Sequence, residues 1–236
     1  MREQYIEYRD GDSLHEGFLC YDESLPGPRP AVLICHGYTG RDDFVDRKAR
    51  RLAWQGYACF ALDNYGKGKR GRNPEESTAL MTPFMKDRKM LLKRLQAGLT
   101  TARSMPIVDS RRIAIMGFCF GGLCALDLAR SNADIRAAVA FHGILKPSGL
   151  TEPKVRAKVL MLHGYDDPLA PPEDVLAVAK EFTDAGADWQ IHAYGHTVHA
   201  FTNPVAQNRA AGMQYDEAAD RRSWHALEEF LGEALK

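Results

Sequence analysis

The chain has no surplus of either charge. Thirty-one lysines and arginines balance 31 aspartates and glutamates, for a formal net charge of zero. That balance gives no basic footprint for nucleic acid and no acidic tail. Cysteine is scarce: five residues, an odd number without regular spacing, build neither a disulfide framework nor a zinc site. No stretch reaches the ~18 apolar residues of a membrane span, so no membrane partner is expected. Met1-Arg2-Glu3-Gln4-Tyr5 lacks the apolar core of a secretory signal. Internal repeats, low-complexity segments and a dividing linker are also missing. The expectation is a cytoplasmic protein, in a reducing setting that keeps a reactive thiol usable. It is expected to fold as one domain over residues 1–236. What is present is ordinary globular material, 45% hydrophobic and 26% charged, in a chain long enough to bury a sizeable core.

Residues 4–8 and 14–21 read as two strands joined at Gly11-Asp12, a hairpin. Continuous apolar runs at 31–35, 57–62, 113–116, 137–141 and 159–163 read as buried parallel strands, with a last strand at 189–194. Helical segments are expected near 43–55, 82–104, 123–130, 172–185 and 217–235, and residues 195–211 read as a loop. Strand and helix alternate, which calls for one mostly parallel sheet covered on both faces.

The feature that stands out is Gly117-Phe118-Cys119-Phe120-Gly121-Gly122, between the apolar run Ile113–Met116 and a helix-forming segment. Strand, small-x-nucleophile-x-small, helix is the pattern of a nucleophile elbow. A nucleophile on so tight a turn leaves no room for side chains two positions away, which explains glycine at 117 and 121. Cys119 is the candidate nucleophile; the alternative is a buried core cysteine. A thiol needs a base or a positive field to ionise, and the base needs a carboxylate to orient it. In such a sheet the acid and the histidine follow in that order. Asp167, in Asp167-Pro168-Leu169-Ala170-Pro171, is preferred over Asp166 as the acid. His199, in the loop after the last strand, competes with His192 and His196. The backbone N–H groups of Phe120 and Tyr38 are the expected oxyanion donors, with His36 bracing their loop. Tyr38, Phe84, Phe118, Phe120 and Phe201 are candidate pocket aromatics, though they equally suit a core. Lys67, in a loop with Lys69, Arg70 and Arg72, is a candidate anion contact as part of a cationic rim; the same run also suits a solvated loop.

Together, the cysteine elbow, Asp167-Pro168-Leu169-Ala170-Pro171 and His199-Ala200-Phe201 resemble the three motif regions of the dienelactone hydrolase family, in order and spacing, over nearly the whole chain. The resemblance implies an α/β-hydrolase fold without a large lid domain. It implies Cys119, Asp167 and His199 as nucleophile, acid and base, and hydrolysis of a small ester or lactone with no metal or organic cofactor. Members that open dienelactones carry a glutamate in the first strand-loop and arginines for the substrate carboxylate. Here Cys35-His36-Gly37-Tyr38 and Phe201-Thr202-Asn203-Pro204 carry neither, so aryl or otherwise activated esters are the expected substrates. Phosphotriester hydrolysis at the same thiol, and a non-enzymatic ligand-binding or thiol redox-sensing protein, are the alternatives; a sensor would need a resolving cysteine nearby, and helical rotation turns Cys124, five positions on, away from the elbow. A monomer or homodimer is expected.

Overall fold

The computed structural model describes residues 1–236. At one edge of its central sheet, β1 (Arg2–Asp10) and β2 (Ser13–Tyr21) form an antiparallel hairpin. The parallel strands are β3 (Arg29–Cys35), β4 (Ala58–Ala61), β5 (Val108–Phe118), β6 (Ala137–Phe141), β7 (Lys158–Gly164) and β8 (Trp189–Tyr194). β2 joins them by pairing antiparallel with β4, and the order across the sheet is β1-β2-β4-β3-β5-β6-β7-β8.

The strands are apolar throughout because both faces are covered. Val32, Ile34, Ala114 and Met116 pack under α1 (Asp43–Ala53) and α6 (Glu217–Ala234). The alternate residues Leu33 and Ile115 pack under α3 (Arg88–Ser104) and α4 (Phe120–Arg130). The chain leaves β3 toward β4 but leaves β5 toward β6. The carboxyl ends of β3 and β5 therefore flank the switch point at which open α/β sheets bind ligands. The α/β-hydrolase fold expected from the sequence is the fold observed, and no helix is long and apolar enough to cross a membrane.

Two expectations are corrected. The helix expected over 82–104 is two helices, α2 (Pro74–Lys86) and α3. Asp87 leaves helical geometry (φ −122°, ψ 88°) and its carboxylate accepts the Met90 N–H at 2.9 Å, starting α3 afresh. Leucine periodicity from Leu91 onward masked that cap. The expected loop over 195–211 contains the two-residue strand β9 (Gln207–Asn208), paired with β10 (Met213–Gln214) around a 3₁₀ turn (Arg209–Ala211).

On the α3–α4 side, charges are buried in a chain. Arg88 grips Asp127 through two bonds of 2.6 Å. Arg130, fully buried, reaches Asp127 at 3.0 Å and Glu181 at 2.7 Å. Glu181 lies on α5 (Pro172–Asp184), so the network ties three helices together.

Candidate active site

The carboxyl end of β5 runs into α4 through one residue, Cys119, held at φ 57° and ψ −116°. This is a strained conformation for a residue with a side chain. A Cβ on Gly117 would lie 2.1 Å from Gly121 O, and one on Gly121 would lie 2.2 Å from Cys35 O, so both glycines are obligatory. Backbone bonds fix the turn: Cys119 N donates to Phe141 O at 3.1 Å, and Gly122 N donates to Cys119 O at 3.0 Å. Cys119 is the only cysteine not fully buried, and it stands at the positive end of α4. Cys124, by contrast, is buried and takes the Asn64 amide at 3.7 Å. That placement removes it as a resolving thiol.

Asp167 follows β7 and His199 follows β8, and the sheet brings them together. His199 Nδ1 donates to Asp167 Oδ2 at 2.7 Å, while Asp167 Oδ1 accepts the Leu169 N–H at 2.8 Å. The remaining ring nitrogen, His199 Nε2, is buried without a hydrogen-bond partner. Burial acts against charge on His199 and is the largest single influence. Negative charge at Cys119 and the Asp167 bond together outweigh it, and the imidazole is raised to about 10. The rival residues lie elsewhere. Asp166 is exposed, His196 is exposed at φ 59°, and His192 bonds Gln190 on the strand at 3.2 Å.

Since negative charge at Cys119 is the main influence raising it, His199 is expected to be an imidazolium wherever the neighbouring thiol is ionised. In the Cys119→Ala variant its titration midpoint should fall, because a neighbour favouring the charged form is gone. Imidazole nitrogen chemical shifts across pH 6–11 would read both, and identical midpoints in the two proteins would refute the coupling.

Cys119 and His199 open onto a cavity of about 350 Å³, walled by Gly37, Tyr38, Phe44 and Phe118 on one side and by Val205 and Met213 on the other. No lysine or arginine lines it. Asp42 is its one carboxylate, occupied in capping α1 at 3.1 Å from Phe44 N. Tyr38 and Phe118 are thus at the site, and Phe120 follows the thiol directly with its ring buried. Lys67 is not at the site: its ammonium is paired with Glu7 and, at 2.9 Å, with Glu16 beside the β1–β2 hairpin. Phe84 stacks on Tyr65 behind the wall at 5.7 Å. Phe201 is fully buried between the rings of His142 and Tyr194. These three do not line the cavity.

Sequence reasoning missed His142. It sits at the end of β6 with φ 37°, lines the cavity, and places its ring centroid 5.0 Å from that of His199. Its Nε2 meets Thr202 Oγ1 at 2.9 Å, and burial holds its pKa well below the usual value, so it stays neutral. Its place at a strand end beside the elbow was the only available signal. No cluster of three or more His, Cys, Asp or Glu side chains has a metal-holding arrangement.

Set on this frame, a family model described as "Dienelactone hydrolase family" matches residues 16–235. The chain belongs to the dienelactone hydrolase family. Similar dienelactone hydrolase-type proteins span most of its length. The crystal structure of a dienelactone hydrolase-like promiscuous phosphotriesterase from metagenomic libraries is 34% identical, covering 100% of this chain and 99% of that one with a TM-score of 0.94. A Yersinia pestis protein named "Putative carboxymethylenebutenolidase" is 30% identical over 81% of this chain and 75% of its own. An uncharacterized Caenorhabditis elegans protein is 39% identical over 63% of this chain and 98% of its own. As a dienelactone hydrolase family member, the protein is a carboxylic-ester hydrolase.

Proposed function

We propose that the protein hydrolyses uncharged aryl or otherwise activated esters and lactones through an acyl-thioester on Cys119. The observation that carries this reading is the pairing of a strained, cavity-facing cysteine with a buried His199–Asp167 couple. In this mechanism the thiol proton resides on His199 Nε2, and Asp167 fixes the tautomer by holding Nδ1–H. The thiolate attacks the carbonyl carbon, and the Phe120 and Tyr38 N–H groups receive the oxyanion. The tetrahedral intermediate collapses as His199 gives its proton to the leaving oxygen. His199 then takes a proton from water, which attacks the thioester and frees Cys119. The absence of lysine and arginine from the wall favours uncharged acyl groups, and Tyr38, Phe44 and Phe118 favour flat ones.

Quenching a reaction with para-nitrophenyl acetate in acid should leave an acetyl adduct on the peptide carrying Cys119, removable by hydroxylamine. An adduct on another residue, or none at full turnover, would reject the mechanism. The promiscuous phosphotriesterase at 34% identity supports a second activity at the same thiol, attack on a neutral phosphotriester. Side-by-side rates on diethyl para-nitrophenyl phosphate and the aryl ester measure it, and no phosphotriester turnover above that of Cys119→Ala would exclude it.

A further inference from the structure

Three consecutive carbonyls in the loop after β3 are held by hydrogen bonds. Gly37 O accepts from His36 Nδ1 at 2.7 Å and from Gly40 N at 3.3 Å. Tyr38 O accepts the Tyr65 hydroxyl at 3.0 Å, and Thr39 O accepts Gly71 N at 2.9 Å. His36 has only one tautomer compatible with its neighbours. Its Nε2 accepts the Asn64 N–H at 3.1 Å, so the ring proton sits on Nδ1 and is donated to Gly37. The ring is fully buried, and burial lowers its pKa, which keeps it neutral.

The backbone has no cis peptide, so each N–H points opposite to the carbonyl of its own peptide unit. Holding Gly37 O on the His36 side therefore aims the Tyr38 N–H away from His36, and that N–H donates to no other group of the protein. The peptide lies against the elbow: a Cβ on Gly37 would be 3.9 Å from Cys119 Cβ. Tyr65 is buried, stacked on Phe84 and Phe120, with His36 edge-on at 4.7 Å. His36 and Tyr65 thus support the same short loop from one side.

We infer that His36 and Tyr65 are positioning residues, which preset the Gly37–Tyr38 peptide so that its N–H meets the developing oxyanion without reorganisation. The inference rests on the acyl-thioester reading above. It also gives a different role to the segment from Asn64 to Gly71, whose basic residues suggested a substrate rim. The backbone of that segment and the Tyr65 hydroxyl anchor the oxyanion loop.

The test separates a step that makes an oxyanion from one that does not. Acylation by para-nitrophenyl acetate passes through an oxyanion. Alkylation of Cys119 by iodoacetamide is a displacement at saturated carbon and does not. Tyr65→Phe keeps the ring and removes one bond; it should slow acylation about tenfold. His36→Leu removes both of that ring's bonds and should slow acylation about 100-fold. KM and the alkylation rate should stay within about twofold of wild type. His36→Asn, whose amide can still donate to Gly37 O, should recover most of the loss. The double variant should lose less than the product of the two singles, since both act on one loop. Wild-type acylation in both single variants, or equal slowing of acylation and alkylation, would overturn the inference. Wild-type acylation by Cys119→Ala would instead overturn the mechanism on which it rests.

Discussion

Cys119→Ala is expected to lower kcat on aryl esters by about 10⁶-fold, and adding His199→Ala should cost almost nothing more. The two side chains act as one unit in the proposed mechanism, so removing either leaves only binding and backbone donors to assist water. Alanine at 119 bears a Cβ as cysteine does, so the left-handed turn keeps its strain and the packing around Gly117 and Gly121 is undisturbed. A loss of rate with an unchanged denaturation midpoint is therefore the expected pair of results. Single-turnover kinetics with enzyme in excess would expose residual chemistry. A Cys119→Ala enzyme within tenfold of wild type would sink the nucleophile assignment.

The largest effect on stability is expected far from the cavity, at Asp127→Ala. Asp127 is the only carboxylate bonded to Arg88, and it shares Arg130 with Glu181. Removing it leaves one guanidinium buried without its counter-charge and another half-satisfied. Breaking a buried pair from one side typically costs about 3–5 kcal/mol. Urea denaturation should show that loss as a lower midpoint at an unchanged slope. The native fraction should keep ordinary esterase activity, because the cluster joins α4 to α3 and α5 at the end remote from Cys119. A loss below about 1 kcal/mol would mean that water reaches these guanidinium groups once the carboxylate is gone.

Residues whose roles are enforced by their chain neighbours were legible in the sequence. Glycines at 117 and 121 must flank a residue on a turn this tight, so the elbow and its cysteine could be read locally. Asp167 and His199 could be proposed because each follows its strand in the order such a sheet imposes. Legibility ended where the deciding partner was distant in the chain. Lys67 looked free for substrate because it sits in a loop with Lys69, Arg70 and Arg72; its counter-charges Glu7 and Glu16 arrive through the hairpin on the other side of β4. Phe84 and Phe201 have the chemistry of pocket residues, but helix packing turned one behind Tyr65 and burial placed the other beneath His142. The break at Asp87 between α2 and α3 carries no periodicity of its own, and the leucine pattern that follows it runs on as one helix. The cavity wall from Asn203 to Met213 has no periodicity that would announce it.

That wall is fastened to the residue proposed as the base. His199 N donates to Gly212 O at 2.9 Å and Gln214 N donates to His199 O at 3.1 Å, while Val205 and Met213 face the substrate space. The cavity wall and the proposed base are thus mechanically linked through a few main-chain bonds. For anyone redesigning this protein, grafts that alter the length of the 203–213 stretch would also tug on His199. Side-chain exchanges at Val205 or Met213, which leave those bonds in place, offer a route to new substrates that does not retune the imidazole.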